Sequence, residues 1–142
     1  DFYNPDNSYL NKVLEHRLGI PISLSAVTIL LGRRLGLPLY GVGMPKHFLV
    51  KYQDQEEEFF IDPFNGGRIF DRRECLQMLT SDGYYVRESY AAEYLAIISP
   101  RDMIIRLLRN LVLIYSKLKD KGRVKRLSHY VEILRMREKA RG

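Results

Sequence analysis

Apolar positions recur along the chain with two periods, one helical and one extended, and the switches between them mark out the elements. Leu10, Val13, Leu14 and Leu18 share a helical stripe, which predicts a short helix from Leu10 to about Leu18 capped by Asn7 or Ser8. Ile22 to Leu31 is apolar or small on every side, with hydroxyls only at Ser23, Ser25 and Thr28. A segment apolar all round predicts a helix buried on most faces. Gly19-Ile20-Pro21 puts proline at the first helical position, and Gly36-Leu37-Pro38 supplies a left-handed residue and a stop at the other end. This stretch predicts the central helix, with its first turn pointing at whatever site the fold builds.

From Leu39 the period shortens. Leu39–Met44 reads as a strand in which Gly41 and Gly43 allow close backbone approach, and Pro45-Lys46 ends it. His47–Tyr52 and Glu58–Asp62 are β-rich runs joined by the polar Gln53-Asp54-Gln55-Glu56, which predicts a hairpin. Setting Lys51 opposite Glu58 pairs Val50 with Phe59, Leu49 with Phe60, Phe48 with Ile61 and His47 with Asp62. In that register an imidazole meets a carboxylate, an arrangement that orients histidine for general-base work. A ladder pair that only satisfies two polar groups has the same pattern, and a slip of two residues keeps the faces but loses the pair.

Asp62-Pro63-Phe64-Asn65-Gly66-Gly67 predicts a tight loop that offers Asn65 and Gly66 as binding positions, with a plain turn as the simpler reading. Asp71-Arg72-Arg73-Glu74 is a capping box for a helix through about Thr80, on which Cys75, Leu76 and Leu79 share a side. That makes Cys75 a small core residue. Tyr84, Tyr85, Tyr90 and Tyr94 crowd one segment and read either as a binding surface or as half-buried packing. Ser99-Pro100-Arg101-Asp102 opens a long helix with Ile104, Leu107, Leu108, Leu111, Ile114, Tyr115 and Leu118 at helical spacing. A turn at Asp120-Lys121-Gly122 and a second helix over roughly Val124–Glu138 complete an αα-hairpin. The predicted class is α+β: a central buried helix packed on a small antiparallel sheet within residues 1–98, and a helical tail, 99–142, docked on it.

With 142 residues, 46% hydrophobic and 28% charged, the chain suits one domain with a real core. It begins at Asp1, as an excised or processed product would. No apolar run reaches the roughly 18–20 residues that span a bilayer, and no secretory pattern is present, so no membrane partner is expected. The single cysteine excludes an intramolecular disulfide and any multi-cysteine metal site; a reducing cytoplasm and no cofactor are expected. Residues 100–142 hold 13 Lys+Arg against 4 Asp+Glu, while residues 1–99 are net −3 of the overall +6. The basic tail suits nucleic acid, an anionic surface or an acidic protein, although a solvated helical face is the plainer reading and no aromatics interleave it at nucleic-acid-binding spacing.

One set of stretches combines with this order of elements: Asn7-Ser8-Tyr9-Leu10-Asn11, Arg17-Leu18-Gly19-Ile20-Pro21-Ile22-Ser23-Leu24-Ser25, Arg34-Leu35-Gly36-Leu37-Pro38, Gly41-Val42-Gly43, Lys46-His47-Phe48-Leu49, Ile61-Asp62-Pro63-Phe64-Asn65-Gly66-Gly67 and Arg109-Asn110-Leu111. Together they resemble the transglutaminase-like superfamily, which shares the papain-like fold. The likeness is closest to its bacterial invasion-regulator-like branch, whose core also resembles a segment of certain F-box proteins. The resemblance implies a papain/transglutaminase-like core, with a tail similar to the start of tetratricopeptide-type repeats over Asn110–Leu134.

Such families use Cys, His and Asp in that chain order, with the thiolate in the first turn of the central helix. His47 and Asp62 match the second and third members. Counting back from Gly36 puts the first at Pro21, which has no nucleophile. The resemblance therefore implies a domain without the catalytic cysteine that binds a protein or peptide in the old active-site groove as a regulatory module. Ser25, Asn65, Gly66, Tyr84 and Tyr85 are its expected binding positions. One alternative is a hydrolase or acyltransferase with a displaced nucleophile, Ser23 or next Ser25, acting with His47 as base and Asp62 as orienting acid. The other is nucleic-acid binding through the basic tail.

Overall fold

A computed structural model describes residues 3–140. After a 3-10 turn at Pro5–Asn7 come α1 (Leu10–His16), α2 (Pro21–Arg34), β1 (Leu39–Val42), β2 (Leu49–Gln53), β3 (Glu58–Asp62) and β4 (Arg68–Phe70). Then follow α3 (Arg72–Ser81), α4 (Glu88–Tyr94), β5 (Ile97–Ile98), α5 (Pro100–Lys117) and α6 (Lys121–Lys139). The strands form one antiparallel sheet in the order β4-β3-β2-β1-β5. The fold is thus α+β, with a C-terminal helical hairpin. Asp1 and Phe2, and the last two residues of the predicted helical tail, lie outside the described residues.

Helices cover both faces of the sheet. Adjacent strand residues point to opposite faces, so Leu49 and Val50 in β2 are both fully buried, in different clusters. Leu49 packs with Val42, Phe60 and Phe70 beneath Cys75 and Leu79 of α3 and Leu95. Val50 packs with Phe48 beneath Ala26 and Ile29 of α2 and Met103 of α5.

Helix α2 starts at Pro21 and stops where predicted, with Gly36 at φ +73° just past its end. Its exposed residues are Leu30, Leu31, Arg33 and Arg34, all in the C-terminal half. Its innermost side is Ser23, Ser25, Ala26, Ile29 and Gly32, and apart from Ile29 the small size of these residues lets the helix lie close to the sheet. Helix α1 departs from expectation. Tyr9 is its N-cap and Arg17, at φ +56°, ends it; of the predicted stripe, Val13 is buried but Leu14 and Leu18 are exposed. Ser8 does not cap it but accepts a hydrogen bond from Asn110 Nδ2 at 2.8 Å, and Tyr9 Oη lies 3.2 Å from Tyr115 Oη. These contacts tie the N-terminal segment to α5.

The β2–β3 register differs from prediction by the two-residue slip. Lys51 opposes Phe60, Val50 opposes Ile61 and Gln53 opposes Glu58. The turn decides this. Asp54 Oδ1 accepts from the amides of Glu56 and Glu57 at 2.8 and 2.7 Å, and Asp54 N donates to Glu57 O at 3.1 Å, closing the hairpin directly after Gln53. Lys51 and Glu58 still meet, diagonally, at 2.7 Å, and Tyr52 stacks on Phe59 at 4.7 Å. His47 lies before β2 and has no ladder partner, so the predicted His47–Asp62 pair does not form.

Close approach explains the glycine in β1. A Cβ on Gly41 would stand 2.8 Å from Met103 Sδ and 3.2 Å from the Phe48 ring. Gly41→Val is expected to cost about 1–3 kcal/mol through overpacking, read as a lower urea midpoint at unchanged slope. Helix α5 is capped as predicted, with Ser99 Oγ accepting from Asp102 N at 3.1 Å. Asp120 caps α6 by accepting from Arg123 N at 3.0 Å, so that helix begins earlier than the apolar spacing suggests. Among the described residues no single helix is long and apolar enough to cross a membrane.

Candidate functional site

His47 sits in the β1–β2 connection, just after Lys46, which adopts φ +60°. His47 N donates to Met44 O at 3.1 Å, which tightens the turn. The ring turns toward α3, where Nε2 lies 2.7 Å from Oδ2 of Asp82. An ionised carboxylate only accepts, so in this bond Nε2 carries the proton. Asp82 is the C-cap of α3, and Lys46 Nζ donates to its carbonyl at 3.3 Å. The two side chains therefore clamp the loop onto the end of α3.

Asp62 does a different job. It is buried at the end of β3, and its carboxylate accepts from Phe64 N (3.1 Å), Asn65 N (3.2 Å) and Asn65 Nδ2 (2.7 Å). Gly66 and Gly67 follow at φ +72° and +76°, and Gly67 N donates back to Asp62 O at 2.9 Å. Positive φ at two successive positions is what a glycine pair permits. Asp62 thus organises the loop that it opens.

The structure nevertheless brings His47, Asp62 and Asn65 to one place. They line a cleft of about 380 Å³ between the β3–β4 loop and α3, whose far side is Phe70, Glu74 and Met78. Arg68, Gln77, Ser81 and Asp82 complete it. Sequence reading missed this α3 wall. One signal was available: Asp82 ends a well-capped helix, where the dipole disfavours a carboxylate unless a cationic or donor group stands beside it.

The remaining sequence candidates lie elsewhere. Ser23 is fully buried and completes the cap of α2: Oγ accepts from Ile20 N at 3.0 Å and lies 2.6 Å from Asn7 O and 3.1 Å from Ile20 O. Its one proton is directed at backbone carbonyls, and it makes no hydrogen bond with His47. Ser25 Oγ donates to Phe48 O at 3.3 Å, which fixes α2 to the segment that carries His47. Tyr84 packs half-buried against the α3 cluster with Lys46 Nζ 5.7 Å from its ring centre. Tyr85 is 80% exposed and faces Arg87. Neither tyrosine lines the cleft.

Cys75 is fully buried, and desolvation, followed by the nearby Asp71, Glu74 and Glu58 carboxylates, pushes its thiol up to about 12. Such a thiol stays protonated at neutral pH and does not attack. Iodoacetamide at about pH 8 is expected to label Cys75 no faster than the fold opens, with the rate rising in sub-denaturing urea.

The helix α2 packed on a five-stranded antiparallel sheet, with further helices on the other face, is consistent with a papain/transglutaminase-like core. The superfamily described as "Transglutaminase-like superfamily" matches residues 1–109, and the chain belongs to that family. A "UPF0162 protein" of Xylella fastidiosa is 42% identical over 118 residues, which cover 82% of this chain and 42% of the relative. "F-box only protein 21" of Homo sapiens is 30% identical over 120 residues, 79% of this chain and 18% of that protein. The chain thus spans about two-fifths of the bacterial relatives' length. No solved structure matches it.

Proposed function

We propose that the chain is a transglutaminase-like domain without thiol chemistry, which holds a protein or peptide segment in the His47 cleft and acts as a regulatory module. The observation that carries this reading is the first turn of α2: it opens on Pro21, the residue that the family resemblance sets against the nucleophile, and the hydroxyl of Ser23 two residues on is consumed in capping the helix. Cys75, buried in the core with its thiol pushed up to about 12, is no substitute. The cleft's lining combines the apolar Phe70 and Met78 with Arg68, Glu74 and Asp82, a mixture that suits the side chains of a bound segment. Relatives in which the matched region is 42% and 18% of the whole are consistent with a module set into different proteins. Membership of the invasion-regulator-like branch, a tetratricopeptide-like role for α5 and α6, and residence in a reducing cytoplasm belong to the same reading.

The test is selection of peptides against the folded domain from a displayed random library. Selected peptides are expected to lose about tenfold or more in affinity in Arg68→Ala and Gln77→Ala, whose side chains line the cleft wall. No cleaved or acylated peptide is expected by mass spectrometry. Peptide turnover that disappears in His47→Ala, or binding indifferent to every cleft variant, overturns the reading.

A further inference from the structure

The outward side of α2 carries a second surface that shares no lining residue with the His47 cleft. Two apolar grooves meet along it. One, of about 470 Å³, runs between α2 and α5, with Ile29 and Met103 in its floor and Leu30 and Ile104 on its walls. The other, of about 450 Å³, lies between α1 and α2 and is lined by Leu14 and Leu31, with Leu10, Leu30 and Arg33 common to both. Leu30 is 49%, Leu31 55% and Ile104 48% exposed. Leu30 and Leu31 on α2, with Ile104 on α5, stand out to form a continuous apolar patch, and large patches of this kind mark interaction sites.

Charge says what kind of partner. The charged side chains that line the two grooves are Arg33 and Arg34, at the C-terminal end of α2, and no carboxylate lines either groove among the described residues. Arginine beside an apolar groove pairs best with a carboxylate that approaches in a fixed geometry. A shape that lays several apolar side chains into two adjoining troughs between helices, and a carboxylate against their end, is an amphipathic helix with acidic flanking positions.

We propose that this face of α2 docks an acidic amphipathic helix of a partner protein, with Leu30 and Ile104 gripping its apolar stripe and Arg33 and Arg34 setting its direction. The surface is independent of the His47 cleft, so loss of one proposal leaves the other standing. Two labelled 18-residue peptides test it by fluorescence anisotropy against the whole chain. Both carry leucines at positions i, i+3, i+4 and i+7; one has glutamates on the flanks and the other lysines.

The glutamate peptide is expected to bind at least about tenfold more tightly. Leu30→Asp, a surface change, is expected to abolish that binding with the circular dichroism spectrum unchanged. The double variant Arg33→Glu/Arg34→Glu is expected to invert the preference toward the lysine peptide. Equal binding of both peptides, or binding of neither, overturns the proposal. So does a dimer in sedimentation that Leu30→Asp dissolves, since that result assigns the face to a second copy of the chain.

Discussion

Ser23→Ala is expected to destabilise the domain by about 2–3 kcal/mol, a fall in melting temperature of roughly 6–12 °C. The hydroxyl is fully buried and accepts from the Ile20 amide at 3.0 Å, a buried donor that alanine leaves without this acceptor. Stranding a buried polar group costs more than removing a pair together. The loss has a second part, because the Asn7 contact holds the N-terminal segment onto α2 and that segment meets α5 through Ser8 and Tyr9. Thermal unfolding of the variant measures the effect. Ser23→Thr keeps the hydroxyl, and even with some crowding at this tight site it is expected to recover part of the loss.

The second large effect concerns the sheet. Lys51 is nearly buried, its Nζ 2.7 Å from Glu58 and 5.6 Å from the centre of the Phe60 ring. Glu58→Ala removes the carboxylate and leaves an ammonium group in the interior, at an expected cost of about 3 kcal/mol, near the lower end for a broken buried pair because Glu58 keeps some exposure. Replacing both, Lys51→Met with Glu58→Leu, is expected to return most of that stability, since apolar residues of similar volume need no partner. Urea denaturation of the single and double variants makes the comparison. A double variant as unstable as Glu58→Ala would show that packing, not the unpaired charge, carries the loss.

Much of the fold was legible because its helix boundaries carry unambiguous chemistry. Pro21, Gly36, the Asp71–Glu74 box and Ser99-Pro100 each mark an element end found in the structure. Two short elements late in the chain were not legible. Strand β5 has two residues, too few for a period to show, and is held by its ladder with β1, while the seven-residue α4 is held by the cluster that Leu95 enters. The hairpin register was lost for a related reason. A Lys–Glu pair satisfies itself diagonally as well as directly across, so it does not discriminate between registers two apart, and the Asp54 turn does. Of the site, His47, Asp62 and Asn65 were found by pattern and do share a cleft. Their connection was not, because Asp82 comes from a helix far along the chain and no local pattern links it to His47.

In the function proposed above, the first turn of α2 is a structural cap and not a latent nucleophile. Incubation of the folded domain with a fluorophosphonate probe, followed by intact-mass and peptide mapping, tests it most directly, because the probe reacts with serines whose hydroxyl is activated by a base. No adduct at Ser23 is predicted over times in which an active serine hydrolase is fully labelled. An adduct at Ser23 that His47→Ala prevents would contradict that role and make Ser23 a nucleophile activated through His47.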